Sequence, residues 1–304
     1  MITRYQKYFF VFPAILSLLA VIAIGTFGLK PGIDLTGGSL LQVSYPHGRP
    51  SAEEIHTALA RLDYGQILVQ PTGERDYLLR QKALSPTEKD AVLGALSGAG
   101  VTEVREVQFN SIGPSIGAEL VKKAWVAIIL VTLSIIIFIA FAFRKVSKPI
   151  ASWKYGIVAI ITLLHDILIP LGLFAYLGYA RGAELDALFI VALLTILGIS
   201  INDTIVVFDR IRENLKRNEE SNHHEEFKDV VGRSISQTLV RSINTSLTVV
   251  IVLFALFYLG PAATKDFALT LIVGMVAGTY SSIFLASPLL VLWDNWQRKR
   301  LKKV

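Results

Sequence analysis

Six long apolar stretches divide the chain and predict membrane-spanning helices. A helix needs about 20 apolar residues to cross the hydrocarbon layer of a bilayer, and each stretch reaches or approaches that length. They lie at residues 8–27, 124–143, 155–177, 185–208, 243–259 and 267–293. Arg4 and Lys7 precede the first stretch as they would in a signal peptide, but its apolar core is longer than the usual span of about 7 to 15 residues. We therefore expect a retained first helix.

The segment between the first two apolar stretches, residues 30–108, predicts a separate soluble domain. Its short alternating runs predict strands at 39–45, 66–70, 76–80 and 101–109 and helices at 52–62 and 86–97. Ser51 and Ser85 precede these helices and suit N-caps, because a hydroxyl accepts from unpaired N–H groups at a helix start. The order β-α-β-β-α-β is the split ferredoxin-like arrangement. The predicted fold is thus a polytopic α-helical membrane protein with a small ferredoxin-like α+β domain.

Basic residues predict the orientation of the helices, because cytoplasmic loops carry an excess of Lys and Arg. With six crossings, four basic clusters fall on one side. They are Arg4 and Lys7; Arg144, Lys145, Lys148 and Lys154; Arg210, Arg212, Lys216 and Arg217; and Arg298, Lys299, Arg300, Lys302 and Lys303. Both termini are expected in the cytoplasm. The predicted parts are an N-terminus with the first helix (1–29), an extracytoplasmic domain with its hinges (30–120), helices two to six (121–293) and a basic tail (294–304).

Composition favours a membrane protein and argues against several other classes. Hydrophobic residues make up 53% of the chain and charged residues 18%, too apolar for an ordinary globular enzyme. The absence of cysteine excludes disulfides, thiolate zinc sites and catalytic thiols. The net charge of +6 comes from clusters beside apolar runs, where topology and lipid headgroups explain it better than nucleic acid. No Walker motif, nucleophile elbow or metal-binding histidine pair is present, so we expect no enzyme, cofactor or metal.

Four motifs stand beside the predicted helices in a fixed order. They are Gly32-Ile33-Asp34-Leu35-Thr36-Gly37-Gly38 before the soluble domain, the stretch from Ser111 to Leu120 before helix two, the stretch from Gly198 to Asn214 closing helix four, and Arg241-Ser242-Ile243-Asn244-Thr245-Ser246 opening helix five. Together they resemble the SecD/SecF family of protein-export membrane proteins. The chain is similar to the SecF members, since it lacks the long extra domain expected of SecD.

The resemblance implies a subunit of the Sec translocase that works with SecD on the extracytoplasmic side of the SecYEG channel. In that family the complex uses the proton gradient to help pull preproteins out after the motor SecA has pushed them in. The resemblance also implies a resistance-nodulation-division (RND) fold, in which SecD supplies the other six-helix half. The expected location is the bacterial inner membrane, with protons as the coupling ion.

Asp203 is the strongest candidate for proton coupling, because an ionisable group inside a spanning helix is costly and is by default a functional hypothesis. It lies seven residues before Arg210, about 10 Å inside the boundary. On helix five, Arg241, Thr245 and Thr248 form one polar stripe, with Asn244 beside it. In the family, the positions matching Asp203, Arg241 and Thr245 are implicated in proton transport. We expect Arg241 to pair with Asp203, whose neighbour Asn202 completes the candidate set; a static packing pair is the alternative.

His165 and Asp166 are a second candidate proton station, near the middle of helix three. Adjacent residues on a helix point about 100° apart, so we expect that both cannot face one site closely. The alternative is that they satisfy polar groups at the SecD interface.

Small residues mark candidate hinges and close helix contacts. Gly37 and Gly38, with Asp34 in the same motif, predict a hinge before the soluble domain, and Gly113, Pro114 and Gly117 predict a second one at helix two. In helix six, a row of small residues predicts close packing and Pro288 a tolerated kink. The row consists of Gly274, Gly278 and Ser282.

Two other functions remain open at the level of sequence. An RND-type exporter of small molecules or lipids would share the fold, although about 80 residues of soluble domain leave little room for a substrate pocket. A scaffold subunit without proton chemistry would use its buried charges only for assembly.

Overall fold

The computed structural model describes residues 6–98, 103–142, 150–222 and 225–301. Several basic residues on which the predicted orientation rests lie outside the described residues, namely Arg4, Arg144, Lys145, Lys148, Lys302 and Lys303. The chain divides into two compact units, Met1–Lys30 with Val126–Val304, and Pro31–Trp125. The first unit holds most of the apolar helices and the second holds the α+β domain.

Six helical segments of the described chain are long and apolar enough to cross a membrane, as predicted. Five of them are α1 (Gln6–Phe27), α5 (Pro114–Ala142), α6 (Ser152–Arg181), α7 (Ala187–Glu220) and α8 (Phe227–Leu259). The sixth is α9 (Ala262–Ser281), which continues through a π-helical turn (Ser282–Ala286) into α10 (Ser287–Leu301).

The helices extend beyond the predicted apolar stretches, most of all where α7 ends and α8 begins. Glu213 on α7 bonds Arg210 at 2.5 Å and Arg217 at 2.7 Å, at spacings of three and four residues. Such pairs stabilise a helix after its apolar stretch has ended. Hydropathy therefore predicted where the chain crosses the membrane but not where each helix begins and ends.

The α+β domain contains a four-stranded antiparallel sheet in the order β2-β3-β1-β4. Its strands are β1 (Gly38–Ser44), β2 (Leu68–Thr72), β3 (Asp76–Gln81) and β4 (Arg105–Ile112), and its helices are α3 (Ala52–Leu59), extended by a 3-10 turn at Ala60–Leu62, and α4 (Pro86–Ser97). A four-residue helix, α2 (Ile33–Thr36), precedes β1. The predicted ferredoxin-like order is confirmed, with β2 and β4 each displaced by a few residues from their predicted positions. Pro71 lies within β2, which tolerates proline because it is an edge strand.

Capping boxes begin both helices of the domain. Ser51 and Ser85 accept from the backbone N–H groups of Glu54 and Glu88, whose carboxylates accept in return from the serine backbone N–H groups. This reciprocal bonding satisfies two donors that a helix start leaves open. The two predicted caps are confirmed, and the core beneath them includes Leu41, Leu79 and Val92, all fully buried.

Glycines allow close contacts between helices of the membrane bundle. A Cβ added at Gly172 on α6 would lie 2.4 Å from the Ala20 Cα on α1, and one added at Gly274 on α9 would lie 2.2 Å from the Ile196 Cδ1 on α7. Gly278 approaches Ser200 in the same way, with 2.9 Å between the added Cβ and the serine Cβ. The packing role predicted for Gly274 and Gly278 agrees with these distances. Ser282, the third member of the row, is fully buried where the π-helical turn begins.

The π-helical turn ends two residues before Pro288, the predicted kink. Proline lacks a backbone N–H and its ring crowds the preceding turn. The Ser287 hydroxyl donates to the Ser282 carbonyl at 3.0 Å and so satisfies one acceptor inside the turn. The helix therefore continues past Pro288, with its hydrogen-bond spacing changed only within the π-helical turn.

Candidate functional site

Asp203 lies where α7, α8 and α9 meet, and its exposed fraction is 5%. The Ser246 hydroxyl of α8 donates to its Oδ2 at 3.3 Å, and the Thr279 hydroxyl of α9 donates to the Ser246 oxygen at 2.6 Å. A buried carboxylate with one hydroxyl donor is expensive in its charged form. The geometry therefore joins three helices through one ionisable group.

Arg241 does not pair with Asp203 among the residues that the structure describes. Arg241, Asn244, Thr245 and Thr248 all lie on the exposed face of α8, where the Thr245 hydroxyl donates to the Arg241 carbonyl at 2.9 Å. Asn202 is also exposed, on α7. The inward face of α8 carries Ser242 and Ser246, one position further along, because each helical residue turns the side chain by about 100°. The expected ion pair is thus replaced by a hydroxyl contact within this chain.

His165 and Asp166 form the centre of a second network, buried to 5% and 0% exposure. The His165 Nδ1 lies 2.9 Å from the Asp166 Oδ1, and its Nε2 lies 2.9 Å from the Tyr280 hydroxyl. The Asp166 Oδ2 accepts from Ser281 of α9 at 2.9 Å and from Ser200 of α7.

The expectation that His165 and Asp166 cannot face one site closely is wrong. Their Cβ atoms diverge around the helix, but the imidazole and carboxylate ends converge and make a hydrogen bond. Their partners Ser200, Tyr280 and Ser281 belong to this chain, so the pair makes its hydrogen bonds inside the bundle.

Sequence reasoning missed the hydroxyl groups that complete both networks. Thr279, Tyr280 and Ser281 are consecutive on α9 and contact Ser246, His165 and Asp166 respectively. The available signal was a run of four hydroxyl side chains in an apolar helix, Thr279-Tyr280-Ser281-Ser282.

The two predicted hinges pack against each other in the α+β unit. Gly37 has φ +75°, and a Cβ there would lie 2.6 Å from the Pro114 Cα. A Cβ on Gly117 would lie 2.7 Å from the Gly37 backbone nitrogen, and Gly113 accepts from the Gly117 N–H at 3.2 Å. Asp34 lies in the short helix α2 just before Gly37. The structure brings the two glycine motifs together as one closely packed junction.

These features define a multi-pass membrane protein with ionisable side chains held inside its helical bundle. The profile of the C-terminal region of the protein export membrane proteins SecD and SecF matches residues 93–296, and that of the SecD/SecF GG motif matches residues 22–45. The chain therefore belongs to the SecD/SecF family.

Relatives of similar length are named protein translocase subunit SecF. The one from Thermobaculum terrenum is 42% identical over 97% of this chain and 94% of its own length. The one from Synechocystis is 38% identical over 88% of this chain and 84% of its own length.

The crystal structure of SecDF from Thermus thermophilus, described as a translocon-associated membrane protein, has a TM-score of 0.79. It is 32% identical over 96% of this chain, which spans 38% of that longer chain. The resemblance expected from the four motifs is confirmed, and the chain is a membrane-embedded protein translocase subunit.

Proposed function

We propose that this chain acts with a SecD partner to convert the proton motive force into late steps of preprotein translocation through SecYEG, after SecA has acted. The complex would lie in the inner membrane, with both termini of this chain in the cytoplasm and the α+β domain outside. Protons are the coupling ion. Family membership and the buried carboxylate of Asp203 support this proposal.

The single observation that carries the proton chemistry is the position of Asp203 between three helices. Its contact with Ser246, and through Ser246 with Thr279, links α7 to α8 and α9. Loading a proton onto the carboxylate removes its charge and changes the strength of these bonds. A change of protonation thereby changes how the three helices are held together.

SecD supplies the remaining half of the site in this proposal. Arg241 and Thr245 lie on an exposed face of α8 whose neighbours Val240, Ile243 and Leu247 are also exposed. A cation on a membrane-embedded face is costly unless it finds a partner or reaches the headgroups. The fusion of a SecF-like region with SecD in one longer chain, as in SecDF, supports SecD as that partner.

Export of a preprotein into inverted vesicles that carry this chain with SecD tests the proposal. We expect Asp203→Asn to abolish the part of export that depends on the proton gradient while leaving assembly with SecD intact. Asp266→Asn is the matched control, because Asp266 is a partly exposed carboxylate that pairs with Arg181 at 2.6 Å. Unchanged gradient dependence in Asp203→Asn would instead favour a scaffold subunit without proton chemistry.

A further inference from the structure

A second ionisable network lies inside the bundle and has no part in the Asp203 site. We call it the His165 cluster, and it consists of His165, Asp166, Ser200, Tyr280 and Ser281. Asp166 accepts from three donors, one imidazole and two hydroxyls, so its lone pairs are well satisfied. The donor pattern fits an imidazole that carries its proton on Nδ1 and accepts from Tyr280 on Nε2.

The His165 cluster has a net charge of −1 in that state. Among the residues that the structure describes, no Lys or Arg bonds to it. One added proton on His165 converts the cluster into an imidazolium–carboxylate pair with no net charge. A buried pair is less costly than a buried single charge, so the cluster can hold a proton on His165 without leaving a net buried charge.

A cavity of about 410 Å³ adjoins His165. It lies between α1 and α6, and its wall includes Phe10, Ala14, Ser17, Leu168 and His165. The residues that α1 and the π-helical turn contribute to this wall, Leu285 among them, carry no charge. In the part of the chain that the structure describes, the other titratable groups nearby are Tyr280 on α9 and, one turn along α7 from Ser200, Asp203.

The backbone of α9 connects the His165 cluster with Asp203. Thr279 bonds to Ser246 beside Asp203, and the next two residues, Tyr280 and Ser281, bond to the His165 cluster. The π-helical turn begins at the following residue, Ser282. Turns of this kind are frequent at functional sites, and this one directly follows the three residues of α9 that contact the two sites.

We propose that the His165 cluster is a second proton-binding site, in which His165 takes up the proton, Asp166 is its fixed counter-charge and Tyr280 relays the proton to His165. The role in export rests on the proposed proton-driven function, whereas proton binding itself does not. An incoming proton joins the Tyr280 oxygen while the proton already on that oxygen passes to His165 Nε2. Tyr280 is unchanged, and the imidazole gains one positive charge.

Infrared difference spectroscopy on the complex with SecD, between about pH 5 and about pH 9, tests this site. We expect imidazole bands that appear in the wild type and are lost in His165→Asn; the subtraction is needed because the chain has five histidines. The same bands persist in Asp203→Asn, so failure of the Asp203 proposal in the export assay leaves this result unaffected. Superimposable spectra of wild type and His165→Asn would show a single protonation state and overturn the proposal.

Tyr280→Phe tests the relay role and leaves both His165 and Asp166 in place, so it keeps the proposal testable if His165→Asn fails to assemble. We expect the His165 imidazole bands to shift in frequency, because Nε2 loses its hydrogen bond to the Tyr280 hydroxyl. Tyr176→Phe on α6 is the control, because Tyr176 is 50% exposed and lies outside the cluster. Identical bands in wild type and Tyr280→Phe would remove Tyr280 from the mechanism.

Discussion

The buried carboxylates of the bundle and the partly exposed carboxylate of Glu88 in the α+β domain accept hydrogen bonds from different kinds of donor. In the bundle, Asp166 and Asp203 accept mainly from side-chain hydroxyls. In the α+β domain, Glu88 accepts from the backbone N–H of Ser85 at 2.8 Å and pairs with Lys82 at 3.0 Å. These contacts lower the pKa of Glu88 to about 2, the Ser85 backbone N–H contributing most.

The low pKa of Glu88 predicts acid sensitivity of the domain. A carboxyl whose pKa is lower in the folded state contributes stability that is present above its unfolded pKa, near 4.5, and is lost as the pH falls toward about 2. Gln at this position keeps an acceptor for the capping box but does not titrate. We expect Glu88→Gln to flatten the loss of stability between about pH 5 and about pH 2.

The measurement is denaturant unfolding of the full chain in detergent, followed by a fluorophore on an introduced Thr57→Cys. This label is unique because the chain has no cysteine. Parallel pH dependences in wild type and Glu88→Gln would contradict the prediction.

The partner of Asp203 shows where residue-level prediction ends. The apolar context of Asp203 was enough to predict a buried carboxylate, and its burial is confirmed. Its partner was predicted as Arg241, but Arg241–Thr245 and Ser242–Ser246 are both polar pairs at a spacing of four. Periodicity shows which residues share a helix face, whereas only packing against α7 and α9 decides which face points inward.

At the scale of elements, hydropathy and alternation were sufficient for the crossings and for the β-α-β-β-α-β order, because both depend on local periods. The contacts between helices were harder to predict from the sequence. Gly274 and Gly278 were predicted from their spacing, whereas Gly172, which meets Ala20 backbone to backbone, has Leu168 and Tyr176 four residues away and so forms no row of small residues. A single close approach depends on a partner that is distant in sequence.

Gly172→Ala is expected to weaken the packing of α1 on α6. The new Cβ would lie 2.4 Å from the Ala20 Cα, and a backbone atom cannot move aside without moving its helix. We expect a loss of about 1–3 kcal/mol, typical of overpacking, measured as a lower thermal unfolding midpoint in one detergent. Gly198→Ala is the matched control: its Cβ would meet nothing within 4 Å, so higher helix propensity should leave stability unchanged or raised by up to about 1 kcal/mol. Equal thermal unfolding midpoints for Gly172→Ala and Gly198→Ala would contradict a close contact between Gly172 and Ala20.

At the scale of the whole molecule, the membrane unit presents a mixed surface that lipid alone does not suit. The exposed face of α8 combines Arg241 and Thr245 with large apolar side chains such as Val240 and Leu247. Lipid solvates the apolar groups but not an embedded guanidinium. A second helical half that offers apolar and polar side chains at the depth of Arg241 can contact both the apolar groups and the guanidinium. We therefore assign this face of α8 to SecD.

A nitroxide on Thr245→Cys tests that assignment directly. With a SecD variant that lacks cysteine, the label is unique, because this chain has none. We expect its mobility in proteoliposomes to fall when SecD is present, since the label becomes packed between two protein surfaces. A label on Leu18→Cys of α1, a position 59% exposed, should keep its mobility. If the Thr245 label stays as mobile with SecD as without it, this face of α8 contacts lipid, and the partner must complete the Asp203 site from another side.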